Sequence, residues 1–207
     1  AGVLDASGLK VLEVGFGNGD FMTFCKQRGW TVTGTEINPE LVAIGRAAGF
    51  DARIASDLDS LDADSFDLVV TIDVLEHIPP DGTISFLQSL LRVLRPGGSL
   101  VAHFPNADSP FGLYNQNGDT THVNAIGTGK ARYYAHAAGA ELVFLPHPGR
   151  IARAHLPEGR RAAVPMGHKH PGPVRLSSGD EYRFRGNGTD DDSQKASVTR
   201  LFVALAG

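Results

Sequence analysis

Two acids and three glycines mark the first place where this chain could do chemistry. Glu13 stands just before Gly15, Gly17 and Gly19 in the run K-V-L-E-V-G-F-G-N-G-D-F over residues 10–21. Side-chain-free positions at that spacing form a turn against which a bound cofactor could lie. An acid ahead of the turn suits a cationic or amino-bearing ligand and repels a pyrophosphate. Glu36 falls about twenty residues after the first glycine, the offset at which a carboxylate accepts hydrogen bonds from both ribose hydroxyls. A second group lies further on. Asp73, Glu76 and His77 are spaced i, i+3 and i+4, which puts all three on one face if a helix begins at Asp73. His122 is a further imidazole. Histidine is the natural base near neutral pH, and carboxylates with imidazoles also make a ligand set for a divalent cation.

Alternating strands and helices must position these groups. Val11, Leu12 and Val14 read as a buried parallel strand, and Phe21, Phe24 and Cys25 as the helix fed by the glycine turn. Trp30 to Thr35 predicts a second strand ending at Glu36. Asn38, Pro39 and Glu40 then start a helix whose buried face is Leu41, Ile44 and Ala48. A short strand over 51–55 leads to Ser56, Asp57 and Leu58, and the apolar run Phe66 to Ile72 predicts the central fourth strand, delivering Asp73 to the sheet's carboxyl edge. Ile84, Leu87, Leu91 and Leu94 mark an amphipathic helix, and Arg95-Pro96-Gly97-Gly98 turns into strand Ser99 to Phe104. A loop through Gly112, Asn115 and Gly118 follows, then a helix over 131–138 and a strand over 141–145. The apolar run 201–205 predicts the last strand, after a Gly/Pro/His/Arg-rich insertion over 146–196.

A dinucleotide turn would need its third glycine at position 20, where Asp20 stands. The E/D-x-G-x-G-x-G pattern at Glu13–Gly19, the F-D-L-V-V-x-x-x-V-L-E-H-I pattern at 66–78 and R-P-G-G-x-L at 95–100 resemble the class I S-adenosylmethionine-dependent methyltransferases. The resemblance covers roughly the first 125 residues. It implies a doubly wound, Rossmann-like α/β sheet of seven strands, mostly parallel with an antiparallel last strand. It also implies that Glu13, Gly15, Gly17, Gly19, Glu36, Ile37, Asp57, Leu58 and Asp73 bind S-adenosylmethionine, with Asp57 and the next backbone N–H at the adenine. His122, in a D-x-x-H stretch, and His77 then lie toward the acceptor as catalytic residues.

Asp73, Glu76, His77 and His122 also resemble the metal set of small-RNA 2'-O-methyltransferases and the related pattern in ubiquinone-pathway O-methyltransferases, with aspartate for the first glutamate. A first-turn glutamate and a packed histidine are the plainer reading, so no metal is assigned. The resemblance points to O-methylation of a small molecule or glycan unit. A D/N-P-P-Y/F motif for nucleobase amines is missing, since Asp73-Val74-Leu75-Glu76 stands there. A catalytically silent cofactor-binding module is the alternative, ahead of an N-methyltransferase or a NAD-dependent oxidoreductase.

Composition bounds the rest. The 207 residues suit one domain, 1–207. A formal charge of -4 gives no general nucleic-acid surface, one cysteine makes no internal disulfide, and no apolar run is long enough to span a membrane, so a cytoplasmic protein is expected. His147, His155, His168 and His170 and the arginines of the insertion read as a solvated polar segment.

Overall fold

The computed structural model describes residues 8–144 and 200–206. Seven strands form one sheet in the order β3-β2-β1-β4-β5-β7-β6. They are β1 (Lys10–Val14), β2 (Thr31–Glu36), β3 (Asp51–Ile54), β4 (Phe66–Ile72), β5 (Leu94–Pro105), β6 (Glu141–Phe144) and β7 (Arg200–Ala206). Among the described residues five α-helices pack beside it: α1 (Asp20–Gln27), α2 (Pro39–Ala47), α3 (Thr83–Val93), α4 (Pro110–Gly118) and α5 (Thr128–Ala138). Strand order reverses between β1 and β4, so the crevice for a ligand opens beyond their carboxyl ends.

Because successive strand residues face opposite ways, β1 contributes to two cores. Leu12 and Val14 join Val69, Leu100 and Phe104 beneath Leu87 and Leu90 of α3 and Ala131 and Tyr134 of α5. Val11 joins Val32, Leu68 and Val70 beneath Met22 and Cys25 of α1 and Val42 of α2. Gly34 of β2 is the tightest point of that second layer, since a Cβ there would lie 2.6 Å from Met22 Sδ and 2.8 Å from Phe16 Cδ1. Gly34→Ala is expected to cost about 1–3 kcal/mol in urea unfolding, as overpacked cores do; unchanged stability would show that Met22 and Phe16 yield freely.

The structure departs from the sequence expectations in three places. The last strand was expected to be antiparallel, yet β7 runs parallel to both β5 and β6. Residues 145–199 separate β6 from β7, ample for the crossover of a dozen or more residues that parallel neighbours require. Helix α2 buries Val42 and Gly45; of the expected face, Leu41 packs partly buried against that core, whereas Ala48 is exposed and Ile44 is 63% exposed. The reason is Gly45, which brings the helix close to Ala52 and Phe16. Helix α3 presents the expected face, with Leu87 and Leu94 buried and Ile84 and Leu91 packed against the same core, and buries Leu90 and Val93 as well. The expected loop at 110–118 is helix α4, begun by Pro110, whose Gly112 passes against the Asn106 backbone where no side chain fits. The insertion 146–196, with its histidines and arginines, lies outside the described residues.

Candidate active site

At the end of β1 the chain folds back on β2: the N–H groups of Gly15 and Phe16 both donate to the Thr35 carbonyl, at 2.8 and 3.2 Å. Gly15, Gly17 and Gly19 all adopt positive φ, 76°, 50° and 78°, so each glycine answers a backbone demand. A Cβ at Gly15 would also stand 2.5 Å from Val74 Cγ2. Glu36 braces this turn. Its Oε2 accepts from Gly17 N–H at 3.0 Å, while Oε1 accepts from the N–H groups of Ile37 and Asn38 at 2.7 and 3.1 Å. Ile37, 81% exposed beside that carboxylate, offers an apolar surface to a planar ring.

Glu13 lies underneath the turn rather than on it. Its side chain is buried between β1 and the start of α1, and Oε2 has no hydrogen-bond partner. Burial pushes its carboxyl up to about 8, against a single opposing contribution from the Met22 N–H. The backbone of Asp57 and Leu58 runs in the 3-10 turn Ala55–Ser60 that follows β3, with the Leu58 side chain in the core.

Beyond β4 the geometry differs from a helix opening at Asp73. Asp73 has φ 53°, and the 3-10 turn Leu75–His77 begins two residues later, so the i, i+3, i+4 face is broken. The Asp73 carboxylate turns instead to His103 of β5, with Oδ1 2.8 Å from Nδ1, and Asp73 N–H donates to the His103 carbonyl. His103 is held above the usual imidazole range, chiefly by that hydrogen bond. In the sequence His103 is one position within the strand-like run Ser99–Phe104, with nothing local to mark it as functional. The register pair Ile72↔His103, which carries Asp73 to its side, is a tertiary fact.

His122 is brought to Glu76 by the backbone: the N–H groups of Val123 and Asn124 both donate to the Glu76 carbonyl, at 2.9 and 3.0 Å, and Gln116 Nε2 donates to the His122 carbonyl. The His77 and His122 rings meet edge to face with centroids 4.6 Å apart. His77 Nδ1 is 3.0 Å from Thr121 Oγ1, which donates to Asp119 Oδ1 at 2.6 Å. Glu76 is 1% exposed, both its carboxyl oxygens lack a partner, and burial raises its pKa. His122 Nδ1 is also buried and unpartnered, while Nε2 lies 4.0 Å from Glu76 Oε1. One donor atom from each of Glu76, His77 and His122 falls within 4.8 Å of the others. Orphaned carboxyl oxygens facing two imidazoles fit a divalent cation. Asp73, the fourth member of the sequence-derived set, is not among these donors.

Residues 12–102, from β1 to β5, match the family described as methyltransferase domain. Over this stretch, less than half of the 207 residues, the chain is similar to a methyltransferase domain. Over 105 residues the chain is 33% identical to the ubiquinone biosynthesis O-methyltransferase of Xanthomonas oryzae pv. oryzae, a match spanning 47% of this chain and 43% of that protein. The chain thus spans less than half the length of that relative. Among solved structures, a SAM dependent methyltransferase from Archaeoglobus fulgidus superposes with a TM-score of 0.59 at 24% identity, over 64% of this chain and 61% of that one. The [4+2]-cyclase SpnF superposes with a TM-score of 0.53 at 22% identity, over 67% of this chain and 54% of its own. These likenesses establish the fold of the methyltransferase domain, and since the same frame carries a cyclase, its activity has to be argued from the site. No helix among the described residues is long and apolar enough to cross a membrane.

Proposed function

We propose that this chain, as a single domain, transfers a methyl group from S-adenosylmethionine to the oxygen of a small molecule, releasing S-adenosylhomocysteine. The observation that carries the reading is the glycine turn braced by Glu36, opening at the same sheet edge as the histidines. The relative from Xanthomonas, named an O-methyltransferase, supports oxygen as the acceptor. Gly15, Gly17 and Gly19 lay their backbone along the cofactor, Glu36 takes its ribose, Ile37 covers the base, and Asp57 with the Leu58 N–H meets the adenine edge. Glu13 acts from below by seating α1 under the turn. Asp73 closes the crevice where the methionine end lies.

Bound there, the cofactor supplies an electrophilic methyl on a good leaving group, so the protein's task is alignment and removal of the acceptor proton. His77 and His122 face the acceptor. Glu76, His77 and His122 would hold a divalent cation, which would act there as a Lewis acid on the acceptor oxygen. The acceptor is a small molecule rather than a nucleic acid, and a reducing cytoplasm suits the single, buried Cys25.

Calorimetry with S-adenosylhomocysteine, paired with methyl transfer to a panel of phenols and sugars, tests the reading. Binding with transfer is expected, and no binding at millimolar ligand would end it. Binding without transfer to any acceptor would make the chain a binding module. Chelator is expected to remove turnover and Mg2+ or Mn2+ to restore it; turnover indifferent to chelator would return Glu76, His77 and His122 to a packing role.

A further inference from the structure

We propose that His103, oriented by Asp73, is the group that takes the proton from the acceptor hydroxyl. The inference rests on the methyl-transfer reading above and adds to it a residue outside the His77–His122 cluster. Four observations carry it. His103 lies on β5 and Asp73 directly follows β4, the neighbouring strand, at the carboxyl edge where the crevice opens. The 2.8 Å bond from Asp73 Oδ1 occupies Nδ1, and among the described residues nothing bonds Nε2. The His103 side chain is 34% exposed, whereas that of His122 is only 11% exposed and lies against Glu76 and Asp119. Asp73 adopts a left-handed backbone, φ 53°, uncommon for a residue with a side chain and concentrated at functional positions.

A carboxylate that accepts Nδ1–H fixes the tautomer in which Nε2 carries a lone pair, the arrangement a base requires. The acceptor's O–H proton passes to Nε2 while the oxygen's electrons form the bond to the methyl carbon; the carbon–sulfur electrons stay on sulfur, which leaves as a neutral thioether. The imidazolium so formed lies against the Asp73 carboxylate. Its exposed face then returns the proton to water. Asp73 is a positioning residue, since it acts through His103.

Long-range 1H–15N spectra of the histidines in the chain saturated with S-adenosylhomocysteine test the pair directly. His103 is expected as the Nδ1–H tautomer when neutral, with its signals moved by added catechol, the hydroxyl probe; both effects are expected to weaken in Asp73→Asn. An Nε2–H tautomer in the wild type, or signals unmoved by saturating catechol, would overturn the proposal. With an acceptor from the panel, His103→Asn is expected to lower kcat about a hundredfold or more, with S-adenosylhomocysteine affinity within about twofold. In Asp73→Asn the rising limb of the pH–rate profile is expected at lower pH, because the negative partner that stabilises the imidazolium is gone. Wild-type kcat in His103→Asn with normal product binding would sink this inference alone. Failure of the wild type to bind the product would sink the methyl-transfer reading.

Discussion

Glu36→Gln is expected to unfold several degrees lower than the wild type and to bind S-adenosylhomocysteine about tenfold to a hundredfold more weakly, despite being nearly isosteric. The side chain sits among three backbone donors: Gly17 N–H on one oxygen, Ile37 and Asn38 N–H on the other. A carboxylate presents acceptors at both ends. An amide has one acceptor and one donor, so one orientation turns its NH2 on Gly17 and the other turns it on Ile37 and Asn38. Either way a donor meets a donor at a site only 8% exposed, where water does little to replace the lost bond. A buried hydrogen bond to a charged group is worth about 1.5–3 kcal/mol, and the loss falls on the turn that receives the cofactor. Thermal unfolding without ligand reads the first half of the effect and calorimetry the second. A melting temperature within about one degree of wild type would mean that the bracing is not what holds the turn, since a loss of 1 kcal/mol moves a domain of this size by more.

What was legible in the sequence, and what was not, follows from where each demand leaves its mark. A left-handed backbone selects glycine, so Gly15, Gly17 and Gly19 announced the turn by type, and the distance from there to Glu36 is set by one helix and one strand. The buried face of α2 was misread for the opposite reason. The residue that faces the sheet most closely is Gly45, and a search for large apolar residues at helical spacing slides past a position where the side chain is absent. Helix α4 is rich in Gly and Asn, weak helix formers, and only its place against β5 makes it helical. The direction of β7 is a matter of how the chain returns to the sheet, which a strand-like run does not encode. His103 belongs with these: its residue type was visible, but its neighbour is chosen by the β4–β5 register.

Glu13→Gln is expected to gain stability relative to the wild type as pH rises. Glu13 pairs in register with Gly34 of β2 and Val70 of β4, in the middle of the sheet, and burial there lifts its carboxyl from 4.5 to about 8. Between those values the unfolded chain has released the proton and the folded chain still holds it. The native state therefore binds more protons, and the stability this group contributes falls as pH rises through that window, levelling off above about 8. Once ionised, the group has the Met22 N–H on its favourable side and the nearby acids Asp20 and Glu36 on the other, with Oε2 unpartnered. Glutamine keeps an acceptor for Met22 and carries no charge at any pH, although its buried NH2 costs about 1–3 kcal/mol wherever no acceptor meets it. Near pH 4.5 the variant should accordingly be no more stable than the wild type. By pH 9 the difference between them should have moved in its favour by up to about 4 kcal/mol, the scale set by a shift of this size at 1.36 kcal/mol per unit. Urea unfolding of both proteins at pH 5, 7 and 9 measures it. A stability difference that stays constant across those three conditions would show that Glu13 ionises as freely in the fold as out of it, and that the strand beneath the glycine turn holds no buried proton.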